Sequence, residues 1–409
     1  MTAFLMRLPE GGVVAIDAPW GDGKTWFARH WHSKLESEGF RTAYIDCFQR
    51  DHVEDPFLLV AGELLELAKQ SEPKARQKLM DAGKKLAVTL LPSAVKFMAN
   101  AAGHWAIGNA HLGEDIAKTI ADAEGSAVAS LEGMVSKRLR EYDADKKSVE
   151  GFRASLTELA ETHDKPIIIF VDELDRCRPD FAVKTVERIK HFFDVPHVVF
   201  VLLMNRRQLV AAIEGVYGAN IDAGAYLGKF IQLSLTLPKR LSVERHARDD
   251  NRQHCAATLR YYGFPAAEAA DQFANSMGTL GTLFGMSLRD MERAAVLYSF
   301  AQPLNVAAPN VAWPIALKLT RPDLFKRLQA NDIGAHQEAY QLAASTKMRA
   351  PDMEWLLAFF EELHNNGASA FTRALPEPAA QQLKQSGHWR NAKDYLSWLF
   401  GRVDMTVSD

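Results

Sequence analysis

The stretch VVAIDAPWGDGKTW, Val13 to Trp26, constrains this chain more than any other. A short β-rich apolar run leads into a glycine loop, and KTWFARHWHSKLESEG then carries helical spacing up to Gly39. Strand, loop and helix in that order are the context in which the pattern GxxxxGK[ST] cradles phosphate: backbone N–H groups wrap the anion, the lysine meets the β/γ charge and the hydroxyl binds magnesium. Gly23, Lys24 and Thr25 stand where that pattern wants them, and Gly21 adds backbone freedom. The helix starting near Lys24 directs its positive end at the anion. Trp20, Gly21, Asp22, Gly23, Lys24, Thr25 and Trp26 are therefore the candidate nucleotide contacts, with ATP and Mg2+ as the expected ligands. Ala18 departs from the pattern by replacing its opening glycine. Its methyl group is tolerated at negative φ and strained at positive φ.

Such a site needs a carboxylate at the end of a buried strand, because magnesium on the β/γ-phosphates takes an anionic partner. IIIFVDELDRCRP supplies Asp172 after five consecutive apolar residues, and Glu173 beside it is placed to orient or deprotonate a water. The pair favours ATP hydrolysis over transfer to a small molecule, since no acceptor pocket is legible; the same residues also fit an ordinary strand-end cap. Asn205 ends the next apolar run, where it either senses the γ-phosphate or simply begins a turn. Arg289 and Arg293, four apart in SLRDMER, share a helix face from which one could neutralise transition-state charge, although each alone reads as a surface arginine. Arg176 and Arg178 are candidates for contacts with a neighbouring subunit or for ion pairs with Asp175 and Asp180.

Three more strands follow from apolar runs at Arg41 to Phe48, Pro166 to Glu173 and His197 to Asn205, and a fifth from Phe230 to Pro238. The fold class expected is α/β: a parallel-sheet P-loop NTPase core with a helical insertion and a mainly α-helical C-terminal part. The core is expected over residues 1–240 with its insertion at about 75–150, a helical lid-like subdomain over 241–305, and a C-terminal helical region over 306–409. QPLNVAAPNVAWP, Gln302 to Pro314, reads as a junction between helical parts, and MEWLLAFFEELHNNG and KDYLSWLFGRV as later helices. Within the insertion, residues 86–110 are apolar enough to raise membrane contact. A spanning helix wants about 20 mainly apolar residues, and Pro92, Lys96, Asn100 and His104 interrupt this one. Helices packed on protein are the expectation there, with shallow membrane contact as the alternative.

The formal net charge of −3 gives no global attraction to nucleic acid, so a nucleic-acid partner is left open. Three widely spaced cysteines, Cys47, Cys177 and Cys255, form no metal or disulfide pattern. With no secretory signal legible at the N-terminus, a cytoplasmic location is expected.

The segment DELDRCRPDFAVKTVERIKHFFDVPHVVFVLLMNRRQLVAAIEGVYG, followed by AYLGKFIQLSLTLP, resembles the KAP family of P-loop NTPases, as do PWGDGKT and SLRDMER. The resemblance runs discontinuously over about residues 10–300. It implies an ATPase of the additional-strand class, with Lys24 and Thr25 at the phosphates, Asp172 at magnesium, Glu173 or Asp175 at the water and Asn205 as sensor. It further implies a switch that self-associates and, by analogy with bacterial members, a role in phage exclusion with a phage-derived trigger or a protein partner. A non-hydrolysing ATP-binding scaffold and a nucleic-acid-directed effector are the alternatives.

Overall fold

The computed structural model describes residues 1–8, 10–53, 56–69, 72–90, 147–192, 195–239, 249–264, 268–301, 308–344 and 392–404. The chain forms two compact units, one of residues 1–18 and 24–237, the other of residues 19–23 and 238–409. The division therefore falls at Leu237/Pro238, and the tip of the phosphate loop groups with the second unit.

In the first unit the order is α1 (Thr2–Leu5), β1 (Gly12–Asp17), α2 (Lys24–Ser37), β2 (Thr42–Asp46), α3 (Pro56–Ala68), α4 (Pro73–Leu90) and α5 (147–160). It continues with β3 (Ile167–Asp172), α6 (Pro179–Ile189), β4 (Val198–Met204), α7 (Arg206–Tyr217), α8 (Ala223–Gly228) and β5 (Leu233–Thr236). Four of the five strands lie within the apolar runs expected from sequence, and β1 begins one residue ahead of its run, at Gly12. They pair in parallel in the order β2-β3-β4-β1-β5. A strand, β4, thus lies between the loop strand β1 and the acidic strand β3, as the additional-strand class requires. Strands β3 and β4 are buried along their whole length, which is why they read as unbroken apolar runs.

The two faces of the sheet alternate residue by residue, as strand geometry demands. Val14, Ile16, Ile168, Phe170, Val199 and Val201 pack on one side with Ala28, Trp31 and Leu35 of α2. Val13, Ala15, Ile169, Val171, Phe200 and Leu202 pack on the other with Phe57 of α3, Phe152 of α5, Phe181 of α6 and Leu209 of α7. Phe57 stacks on Phe192 at 4.6 Å between ring centroids, and Phe192 faces Phe200 at 6.4 Å. Such a sandwich fixes the strand ends, and with them every loop at the carboxyl edge. In open α/β sheets that edge is where ligands bind.

The second unit is helical among its described residues: α9 (Asp250–Tyr261), α10 (Glu268–Phe284), α11 (Leu288–Ala301), α12 (Ala308–Thr320), α13 (Pro322–Gln329), α14 (Ile333–Ala344) and α15 (Ala392–Val403). One apolar cluster unites them, from Cys255 through Met277, Met291 and Trp313 to Phe400. The helices expected as a separate lid and as a C-terminal region therefore share their packing.

The junction expected over 302–314 needs a correction, because α12 begins at Ala308 and carries Pro314 inside it. Proline there removes one helical N–H. Burial outweighs that loss: Val311, Ala312, Trp313, Ile315 and Ala316 are all at most 2% exposed. Most of the expected insertion, including residues 91–110, and the expected helix at 353–367 lie outside the described residues. Among the described residues no helix is long and apolar enough to cross a membrane.

Candidate functional site

The stem of the phosphate loop is built by β1 and by the first residue of α2. Ala18 donates its N–H to the Met204 carbonyl at 3.2 Å, continuing the β1–β4 ladder by one residue. Among the described non-glycine residues only Glu173, His197 and Asn331 have positive φ, so Ala18 is not strained, and its methyl is buried. The Ala18 carbonyl accepts from Lys24 Nζ at 2.6 Å, which folds the lysine back across the loop. Burial lowers the Lys24 pKa, while the nearby carboxylates of Asp175 and Asp172 favour its charged form.

At the end of β3 two adjacent carboxylates have opposite surroundings. Asp172 is 2% exposed and held at both oxygens: Oδ1 accepts the Glu173 N–H at 2.8 Å, and Oδ2 accepts the Tyr44 hydroxyl at 2.5 Å. Tyr44 comes from β2, opposite Phe170 in the register and so one diagonal step from Asp172 on the same face. Burial and its bond to Asp172 push the Tyr44 phenol well up, keeping it a donor. Glu173, by contrast, turns out of the strand at φ 61 and ψ 20. A left-handed conformation in such a residue costs about 1–3 kcal/mol and persists only where neighbours enforce it. Here the enforcement is visible, since Oε1 accepts from Thr25 Oγ1 at 3.3 Å and Oε2 pairs with Arg176 Nη1 at 2.5 Å. Burial raises the Glu173 pKa, opposed by the Arg176 charge, with Asp172 adding to the rise.

At the end of β4 the backbone N–H groups are taken by carboxylates from other strand ends. Asp175 Oδ2 accepts the Asn205 N–H at 3.0 Å, and Asp17 Oδ1 accepts the Arg206 N–H at 2.9 Å. Asn205 itself caps α7, its side chain accepting from the Gln208 N–H at 3.4 Å. Asp175 therefore positions the strand end that carries Asn205. Of the two arginines read as subunit contacts or as ion-pair partners of Asp175 and Asp180, Arg176 closes on Glu173 and Arg178 reaches the Asp51 carbonyl at 2.9 Å.

The loop tip is tied within the second unit. Asp22 Oδ1 accepts from Lys239 Nζ at 3.0 Å and from the Leu288 N–H at 3.3 Å, and the Gly21 carbonyl accepts the Arg289 N–H at 3.1 Å. Gly21 has φ +89, and a Cβ there would stand 2.6 Å from Ser287 Oγ, so only glycine fits. Ser287 and Asp290 exchange hydrogen bonds ahead of α11, with Ser287 Oγ 2.7 Å from Asp290 Oδ2. Of the two helix arginines, Arg289 meets the tip through its backbone, and Arg293 pairs with Asp290 at 3.6 Å; both side chains are exposed. Trp20 is 42% exposed; Trp26, 66% exposed, stacks on His30 at 3.9 Å.

These residues fit a nucleotide with magnesium. Gly21 and Gly23 both have positive φ, a backbone feature of the turns from which anion-binding nests are made. Lys24 and Thr25 open α2, and Thr25 reaches the acidic end of β3. Among the described residues no group of three or more His, Cys, Asp or Glu could hold a metal. Thr25 and Asp172 would thus share the ion with phosphate oxygens, as is usual for Mg2+. Sequence reasoning reached Lys24, Thr25, Asp172 and Glu173 but missed Tyr44, Asp17 and Lys239.

A parallel sheet with a strand inserted between loop strand and acidic strand, and a GKT loop at its carboxyl edge, defines a P-loop NTPase fold. The sequence matches the KAP family P-loop domain over residues 4–254, more than half of the chain, and the chain belongs to that family. It is also 29% identical over 114 residues to the Phage T7 exclusion protein of Escherichia coli (strain K12). That match takes in 28% of this chain and 15% of the relative's length.

Proposed function

We propose that this chain is a Mg2+-dependent ATP-binding and hydrolysing switch, and that its biological setting is phage exclusion in a bacterial cytoplasm. The observation that carries the reading is the contact between the two halves of the site, Thr25 Oγ1 to Glu173 Oε1 at 3.3 Å, with Lys24 fixed one residue before. When bound, Mg-ATP supplies the phosphoryl group and the metal that spreads its charge. Lys24, now on the Ala18 carbonyl, would hold the β/γ oxygens through a charge-assisted bond that stabilises the transferred charge. Thr25, whose hydroxyl now bonds to Glu173, would be a ligand of the metal. Asp172, fixed at both oxygens, offers an anionic wall without moving. Glu173 Oε takes the proton of the attacking water, and the raised pKa given by burial makes it a better base. Asn205 stands at the adjacent strand end as the residue that registers the γ-phosphate.

The phage-exclusion setting is supported by the family and by the named relative, over the short part they share. Self-association and a phage-derived or protein trigger belong to the same proposal. Phosphate release from ATP, measured for wild type, Lys24→Ala and Glu173→Gln, tests the enzymatic core. We expect turnover in the wild type and its loss in both variants; equal rates in all three would sink hydrolysis at this site. ATP bound by the wild type without turnover would favour the non-hydrolysing scaffold, a reading supported by the engaged state of Lys24 and Glu173.

A further inference from the structure

We propose that Arg176 is a latch on Glu173, a positioning residue that holds down basal hydrolysis by occupying the carboxylate that must receive the water's proton. The inference rests on the hydrolytic reading above and adds a control to the same site.

The geometry is specific. Arg176 closes a short turn, Leu174–Arg176, that begins directly after Glu173, so its guanidinium returns to the carboxylate three residues back at 2.5 Å. The turn is fixed in turn by the Arg176 N–H on the Glu173 carbonyl at 3.1 Å. Glu173 thus has both oxygens committed, Oε1 to Thr25 and Oε2 to Arg176. The two restraints differ in what removes them. A metal held by the Thr25 hydroxyl would take that hydroxyl from Glu173. The Arg176 pair is not drawn off in that way, because a guanidinium is a donor only and cannot ligate a cation. An oxygen held in a short ion pair is blocked to an incoming water.

Access completes the argument. The Glu173 side chain is 13% exposed, but the Arg176 side chain is 33% exposed, so the inner member of the pair is the base and the outer member faces solvent. An acidic group of a partner chain can engage the guanidinium from outside and release Glu173 without touching the nucleotide.

The test is steady-state ATP turnover and equilibrium Mg-ATP binding by calorimetry, for wild type, Arg176→Ala, Arg176→Lys and Arg176→Ala combined with Glu173→Gln. The latch predicts that Arg176→Ala raises kcat by about tenfold, a fraction of the range open to a general base, with KM within about twofold. Arg176→Lys, keeping a charge but on a shorter side chain with no planar fork, should fall between the two, and the double variant should be as inactive as Glu173→Gln alone. A kcat for Arg176→Ala that is unchanged or reduced, with Mg-ATP still bound, overturns the latch. Should Arg176→Ala fail to fold, Arg176→Gln replaces it with the same expectation. Loss of Mg-ATP binding in the wild type itself would instead overturn the hydrolytic reading, so the two failures are distinct.

Discussion

The stem and the tip of the phosphate loop are held by different means. At the stem, Ala18 extends a strand ladder and Lys24 bonds back onto it, both within the first unit. At the tip, Gly21 and Asp22 are secured inside the second unit by Lys239 and by the backbone at the start of α11. The stem is thus made of the groups that define the motif, and the tip of groups far away in sequence. The stem holds the groups proposed for the chemistry, and the tip is held by residues grouped with the helical unit.

Lys24→Ala should have the largest effect on this comparison. It removes a charge-assisted bond to the β/γ oxygens, worth about 1.5–3 kcal/mol, and so weakens ATP binding roughly 10- to 100-fold in a titration with a fluorescent analogue. Unchanged affinity would mean that the stem lysine belongs to the resting loop alone. At the tip, Lys239→Ala takes the partner from Asp22 and from the Met286 carbonyl. The pair is partly buried, so a loss of about 1 kcal/mol in thermal unfolding is expected, with ATP affinity changed much less than by Lys24→Ala. An affinity loss as large as that of Lys24→Ala would erase the distinction between stem and tip. Smallest of all is Ala18→Gly: with no positive φ to relieve, ATP affinity should stay within about twofold of wild type.

The same contrast explains what was legible in the sequence. Strand β1, the loop and α2 follow from a local order of apolar residues, glycines and helix spacing, and Asp172 and Glu173 follow from their place after IIIFV. Interactions across long separations left no local trace. Tyr44 meets Asp172 from 128 residues away, and Lys239 meets Asp22 from 217. Asn205 and Pro314 show the limits of single-residue cues. Asn205 caps α7 as any helix-start asparagine would, and Pro314 sits inside a helix because the surrounding residues are buried.

Asp172 and Glu173, one residue apart, concentrate the whole account, since one is fixed at both oxygens and the other is held by partners that can leave. Their separation of duties is tested most directly by ATP affinity measured with and without Mg2+ for wild type, Asp172→Asn and Glu173→Gln. We predict that Mg2+ tightens binding in the wild type and in Glu173→Gln, and that Asp172→Asn loses that tightening. Binding indifferent to Mg2+ in the wild type, or lost equally in both variants, would contradict the assignment.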